Sequence, residues 1–283
     1  MKVPFYLNRL SQVAVAAVMC STLVVATAGA QTADPNAGAI TVTTAVDFPS
    51  VYFFRGIRQE SDPKLTTFAA GDLGVSLFSG DGGLKSAAIN VGVWNSLHTG
   101  TSGSKAGESI HYEEDFYASL SLGFGGGITV TPTFTAYTSP NAFFGTVQEL
   151  SFKVAHGSKF APYGLVATEL KGQADAGANK GTYGEFGVAP SWALGGSPVT
   201  MAIPVKVGLS LRDYYELDGT DNKFGYVDAG VLFTVPFTRV PTNFGSWNVH
   251  GGVNVLGFGD TTKALNNGDA GQVVVSGGIG MSY

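Results

Sequence analysis

Beyond residue 30 the sequence has no cysteine, few charges and no apolar run of the length a membrane helix needs. Its one cysteine is Cys20, so nothing downstream can form a disulfide. A small secreted domain would normally need such cross-links, but a chain of about 250 residues can bury a core without them. Charged residues make up 13% of the chain and the acidic ones prevail, with formal net charge −5. That balance excludes a nucleic-acid partner, whose phosphates call for a basic stripe. Spanning a bilayer as a helix takes about 18 or more continuous apolar residues. After the N-terminal segment no stretch reaches that length, although 44% of the residues are hydrophobic and 12% aromatic.

What the N-terminus does contain is an export signal. Lys2 and Arg9 precede an apolar run from Val13 to Val25, and Ala28-Gly29-Ala30 closes it before Gln31. A charged start, an apolar centre and a small-x-small cleavage site define a secretory signal peptide. Ser21, Thr22 and Thr27 interrupt the run, which argues against a membrane anchor, and Met19 before Cys20 argues against lipidation. Residues 1–30 are therefore expected to be removed, leaving 31–283 as a single domain with 14 basic residues against 21 acidic.

The apolar residues of that domain recur with a period of two. Tyr283, Met281, Ile279, Gly277, Val275 and Val273 share one face of a segment whose other face carries Ser282, Ser276 and Gln272. Val199, Met201, Ile203, Val205, Val207, Leu209 and Leu211 oppose Thr200, Lys206, Ser210 and Arg212. The same sorting covers Ile128 to Thr138, residues 226 to 237, residues 246 to 255, and the run Leu120, Leu122, Phe124; residues 160 to 171 alternate poorly. Only a strand sorts residues this way. Short turn-like connections such as Ser79 to Gly83 and Gly125 to Gly127 alternate with longer polar ones such as His98 to Ser109, Lys171 to Thr182 and Asp213 to Lys223. A hydropathy signal diluted by alternation, with sorted connection lengths, predicts an all-β transmembrane antiparallel up-and-down β-barrel of about 12 strands. A soluble β-sandwich also alternates, but its connections need not sort by length and it needs no aromatic C-terminus.

These features place the protein in a bacterial outer membrane, with lipid around it. The terminal aromatic Tyr283, with apolar residues two and four positions before it, resembles the signal that the barrel-assembly machinery recognises. Tyr52, Phe53, Phe54, Phe143, Phe144, Tyr214, Tyr215 and Tyr283 are expected to form a girdle at the lipid headgroups.

Tyr52-Phe53-Phe54-Arg55-Gly56-Ile57-Arg58-Gln59 is read as the first strand. Here the sequence resembles the TorF-like porins, whose early strand carries Tyr-x-x-Arg-Gly-x-x-Gln, with Arg58 departing from the small polar residue of that pattern. The resemblance implies an outer-membrane barrel of porin type and names no solute. Arginines cannot cheaply face lipid, so Arg55 and Arg58 belong to the lumen or its rim. Parity adds Asp72, Glu113, Asp115, Glu149, Lys153, Glu185, Lys206, Arg212, Asp228 and His250 to the lumen, beside Asn90 and Tyr117. Charges of both signs in a narrow barrel either pass small polar solutes or form a network that closes the passage. The first reading is a porin-like channel for passive diffusion; the alternative is a closed structural or surface-recognition barrel.

No enzyme activity and no cofactor are expected. His156 and Ser158 have the spacing of a base and nucleophile on one strand face, as in the outer-membrane phospholipase, but they fall at a short turn and have no evident third partner. His98, His111, His156 and His250 lack metal-ligand spacing. Asp218 to Asn222 lacks the EF-hand register and reads as a solvated turn, and Gly123 to Gly127 as a hairpin turn.

Overall fold

In the computed structural model, which describes residues 39–103, 110–174, 177 and 179–283, twelve segments form one closed antiparallel barrel. Its strands are β1 Ile40–Pro49, β2 Thr66–Ser79, β3 Leu84–His98, β4 His111–Phe124, β5 Ile128–Thr138 and β6 Val147–His156, followed by β7 Tyr163–Lys171. They continue with β8 (Thr182–Val188, resumed at Ser191–Ala193), β9 (Thr200–Ala202, resumed at Val205–Arg212), β10 Phe224–Pro236, β11 Ser246–Phe258 and β12 Gly271–Ser282. Each strand pairs with the next, and β12 returns to β1 through the register Thr43 with Ser282 to Pro49 with Ser276. Tyr283 completes the seam by exchanging backbone hydrogen bonds with Val42 at 2.7 and 2.8 Å. Closure leaves no strand edge unpaired, as hydrocarbon demands. The segment expected to be a signal peptide, residues 1–30, lies outside the described residues.

Alternation decides which side each residue faces. Leu73, Val91, Phe116, Phe134, Phe152, Phe186, Val253 and Val275 point outward and are exposed, giving the barrel an apolar exterior that only lipid can cover. The breaks in β8 and β9 sit at Pro190 and Pro204, on adjacent strands. Proline has no amide hydrogen for the ladder, and the two carbonyls accept instead from Ile203 at 3.0 Å and Gly230 at 2.9 Å.

One end of the barrel, the turn end, carries the described termini and the tight connections; the other, the loop end, carries the longer ones. Four of the eight expected girdle aromatics, Tyr52, Phe54, Tyr214 and Tyr215, are instead at most 1% exposed, and Phe53 and Phe144 are buried too. The loops that bear them fold into the barrel, so their rings meet protein and not headgroups. Exposed aromatics do ring the turn end, where Phe78, Phe124, Phe160, Phe237, Phe244 and Tyr283 stand.

Candidate functional site

The lumen is divided across its height. In the loop half the inward positions are large and buried: Phe68, Trp94, His98, Tyr137, Tyr183 and Tyr226 pack with Tyr112, Tyr214 and Tyr215 into one core. In the turn half they are small or polar, including Gly92, Ser119, Ser121, Thr131, Thr133, Ser151 and Ser276, and all of these stay part-exposed. Side-chain volume alone thus fills one half and leaves the other open to water.

At the centre of the filled half lies the segment expected to be the first strand. That expectation is corrected: β1 ends at Pro49, and residues 53–58 form a separate two-stranded hairpin inside the barrel, pairing Phe53 with Arg58 and Phe54 with Ile57. Its two-residue turn is Arg55-Gly56, with φ of 43° and 82°. Positive φ at both central positions is the tight hairpin turn whose twist matches its strands. Gly56 is needed twice, since a Cβ there would also lie 2.8 Å from the Tyr226 Cβ.

Arg55 anchors this plug. Its guanidinium donates to both carboxylate oxygens of Glu149, at 2.7 and 2.8 Å, and to the Tyr214 hydroxyl at 2.8 Å. It also lies 4.1 Å from the Tyr183 ring centroid, so a planar cation is held by a bidentate acceptor and an aromatic face. The side chains of Arg55 and Glu149 are 9% and 3% exposed. Arg58 pairs with Asp269, and its amide donates to Asn266 Oδ1 at 2.8 Å while Asn266 Nδ2 donates to the Gly56 carbonyl at 2.7 Å. Asn266 immediately follows the helix α1, Asp260–Leu265, which positions it.

The plug continues to Glu60, which accepts from the Ser102 amide at 2.9 Å and its hydroxyl at 2.5 Å. Ser102 in turn bonds His98 Nδ1 at 2.6 Å, and Ser96 bonds His98 Nε2 at 2.6 Å. These residue types could make a nucleophile and base, but each is at most 3% exposed and the Tyr112 ring stacks on the imidazole at 4.4 Å. No substrate reaches them in this conformation.

The other parity candidates fall into smaller groups. Glu113 and Asp115 are buried on the inner wall of β4. Glu185 accepts hydroxyl bonds from Tyr163, Tyr183 and Tyr226 at 2.7, 2.6 and 2.9 Å, and the Lys153 ammonium sits 4.6 Å from the Tyr163 centroid. Lower down, Lys206 lies 3.9 Å from Asp228, which accepts from Asn254 at 2.8 Å. Asp72 accepts from Asn90 at 2.7 Å and Tyr117 at 2.9 Å. His250 bridges Asp47 at 2.6 Å and Asn248 at 2.9 Å. Arg212 is the exception: its side chain is 66% exposed at the loop-end rim, 3.9 Å from Asp213. A register shift between Thr182 and Tyr183 breaks the alternation that would put it inside.

Outside the barrel strands, Asp221 has a depressed pKa. Burial works to raise it, and hydrogen bonds from Lys223, Ser210 and the Asp213 amide more than offset that. At the turn end His156 is exposed, and no side-chain hydrogen bond joins it to Ser158 among the described residues.

Sequence reasoning kept a closed lumen as its alternative but missed that residues 53–58 and a tyrosine cage close it. The available signal was Arg55-Gly56 itself, a turn dipeptide flanked by aromatic and β-branched residues.

No protein-family model matches the sequence, and no curated protein matches it. Among solved structures the fold is similar to the translocator domain of the autotransporter NalP from Neisseria meningitidis, at 15% identity, covering 88% of this chain and 89% of that one, with TM-score 0.45. It is similar to the NanC porin at 13% identity, 86% and 98% coverage and TM-score 0.40. Outer membrane phospholipase A from Escherichia coli follows at 11%, 85% and 92%, with TM-score 0.41. At such values none of them adds to a barrel already defined by its own strand pairing.

Proposed function

We propose that the protein is an outer-membrane barrel held shut at its outward end by its own hairpin, a closed barrel in its resting state and not a standing porin. The observation that carries this is the burial of the inner wall and its filling at the loop half, where Tyr52, Phe54, Glu113, Asp115 and Tyr215 are 0% exposed. The apolar exterior and the sorted connection lengths support the outer membrane as its place, with the loop end facing outward. The spacing Tyr52, Arg55, Gly56, Gln59 supports kinship with the TorF-like porins. On this reading residues 1–30 are cleaved on export, and Tyr283 on the seam strand is what the assembly machinery meets. No catalytic step is assigned to His156 and Ser158.

Folded protein reconstituted in planar bilayers is expected to be silent across salt and moderate voltage. Discrete conductance from the wild-type chain would overturn the closed reading and restore the porin one. That second reading, passive diffusion of small hydrophilic solutes past Lys206 and Asp228, draws on the part-exposed polar lining of the turn half. Liposome swelling with solutes graded by size and charge tests it directly.

A further inference from the structure

Resting on the closed-barrel reading, we propose a latent activity: the hairpin is a displaceable gate, and its withdrawal uncovers a cation-selective passage. The first reason is the wall behind it. A lumen built to stay filled would present apolar residues to its filling, because a buried carboxylate is costly unless matched. Here, beside the aromatic side chains, the strands also place Glu113, Asp115, Glu149, Glu169 and Glu185 on the buried inner face, with Thr66, Ser96, Thr135 and Ser210. No lysine or arginine of the barrel strands is buried among the described residues. The cation in direct contact with Glu149 arrives on the hairpin, as Arg55. Remove the hairpin, and the wall keeps an excess of acidic side chains among its aromatic ones, a lining that selects cations.

The second reason is how the hairpin is attached. It is a sheet of its own, and no backbone ladder joins it to a barrel strand. Its polar moorings are side-chain contacts: Arg55 to Glu149 and Tyr214, Arg58 to Asp269, Tyr112 to Gln59 at 2.8 Å, and Asn266 to both Gly56 and Arg58. Water can replace each of these, whereas it cannot replace a strand ladder in hydrocarbon. Below the hairpin the turn half is already part-exposed. Displacing the hairpin, together with Tyr214 and Tyr215, which are hydrogen-bonded to Arg55, therefore joins two aqueous compartments without disturbing the barrel ladder.

The test uses the full chain in planar bilayers under a potassium chloride gradient, with the heat-modifiable gel mobility of a folded barrel as the folding control. Arg55→Ala and Glu149→Gln both weaken the latch and are expected to raise the open fraction at least about tenfold, with a reversal potential on the cation side. Glu149→Gln is nearly isosteric and decides the matter if Arg55→Ala does not fold. The second arm adds Arg58→Cys and Asn266→Cys, residues whose polar groups already touch, to Glu149→Gln in a chain that has no other cysteine after residue 20. Oxidation should silence the openings and a reductant should restore them. Folded latch variants that stay silent, openings that survive the cross-link, or anion selectivity would each overturn the gate while leaving the closed barrel intact. Discrete conductance from the wild-type chain would instead strike the closed reading itself.

Discussion

Removing the Glu149 carboxylate should cost far more than removing both members of its pair. In Glu149→Ala the Arg55 guanidinium loses two charge-assisted hydrogen bonds of 2.7 and 2.8 Å, keeping the Tyr214 hydroxyl and the Tyr183 ring in a site where it is 9% exposed. Breaking a buried pair from one side typically costs about 3–5 kcal/mol, because a charge is left behind without its partner. Replacing both partners by apolar residues of similar volume is often near neutral. The double variant Arg55→Met with Glu149→Leu is therefore expected to be more stable than Glu149→Ala by about 2 kcal/mol or more. Urea unfolding of the folded barrel in detergent or lipid measures this, followed through Trp94, which is buried 5.5 Å from the Tyr52 ring of the plug segment. With a slope of roughly 3 kcal/mol per molar urea, a loss of about 3 kcal/mol moves the midpoint down by roughly 1 M. A coupling energy within about 0.5 kcal/mol of zero would mean independent sites, and the hairpin could not then be seated as described.

Three further outcomes are expected. Gly56→Ala should cost clearly more than Gly126→Ala: both have positive φ, worth about 1 kcal/mol against alanine, but only Gly56 meets a neighbour, Tyr226, and matched urea midpoints would contradict the packing. Gly92→Ala should destabilise by about 1–3 kcal/mol because the Tyr117 ring lies over that bare backbone, whereas Gly71→Ala, with open space around it, should be neutral or mildly stabilising; the reverse order in thermal melts of folded protein would place these strands wrongly. The contacts of Asp221 should stabilise its loop above the unfolded carboxylate pKa of about 3.9 and lose that contribution as pH falls through the lower folded value. Protease susceptibility of the loop from Asp213 to Lys223 should thus rise on acidification in the wild type and be flat across that window in Asp221→Asn.

The barrel is legible in the sequence because a period of two cannot be mistaken over a long strand. Ile128–Thr138 comes out with the bounds that alternation gives it, and the same parity gathers Asp72, Asn90 and Tyr117 on the inner face, where they bond. Parity carries no information past a bulge, which is why it puts Arg212 inside when the side chain stands at the rim. It is equally blind to loops that turn inward: Tyr214 and Tyr215 sit just past the end of β9, where an aromatic on a membrane barrel normally meets headgroups, yet both are buried under the hairpin. Nothing local distinguishes the two destinations, since the outcome depends on whether the lumen beside the loop is empty or filled.

The eight-residue motif becomes intelligible once the hairpin is drawn out. With Arg55 and Gly56 at the turn, Phe54 faces Ile57, Phe53 faces Arg58, and Tyr52 comes opposite Gln59, whose backbone N–H donates to the Tyr52 carbonyl at 2.9 Å. Tyr-x-x-Arg-Gly-x-x-Gln is then the spacing of one two-residue hairpin, with its named residues at the turn and at the open end. Each of the four also meets the barrel: the Tyr52 ring packs on Phe68 and Trp94, Arg55 holds Glu149, Gly56 clears Tyr226, and Gln59 accepts from Tyr112. Arg58, the departure from the pattern, is the one that reaches out of the cage to Asp269 on the loop after α1. A strand lining a pore would need only alternation at these positions, and any small polar residue could replace Gln59. A plug needs every one of them, so a chain with Tyr52 and Gln59 exchanged should keep the barrel while leaving the hairpin unseated, a difference that protection of the Gly56 amide from hydrogen exchange would read directly.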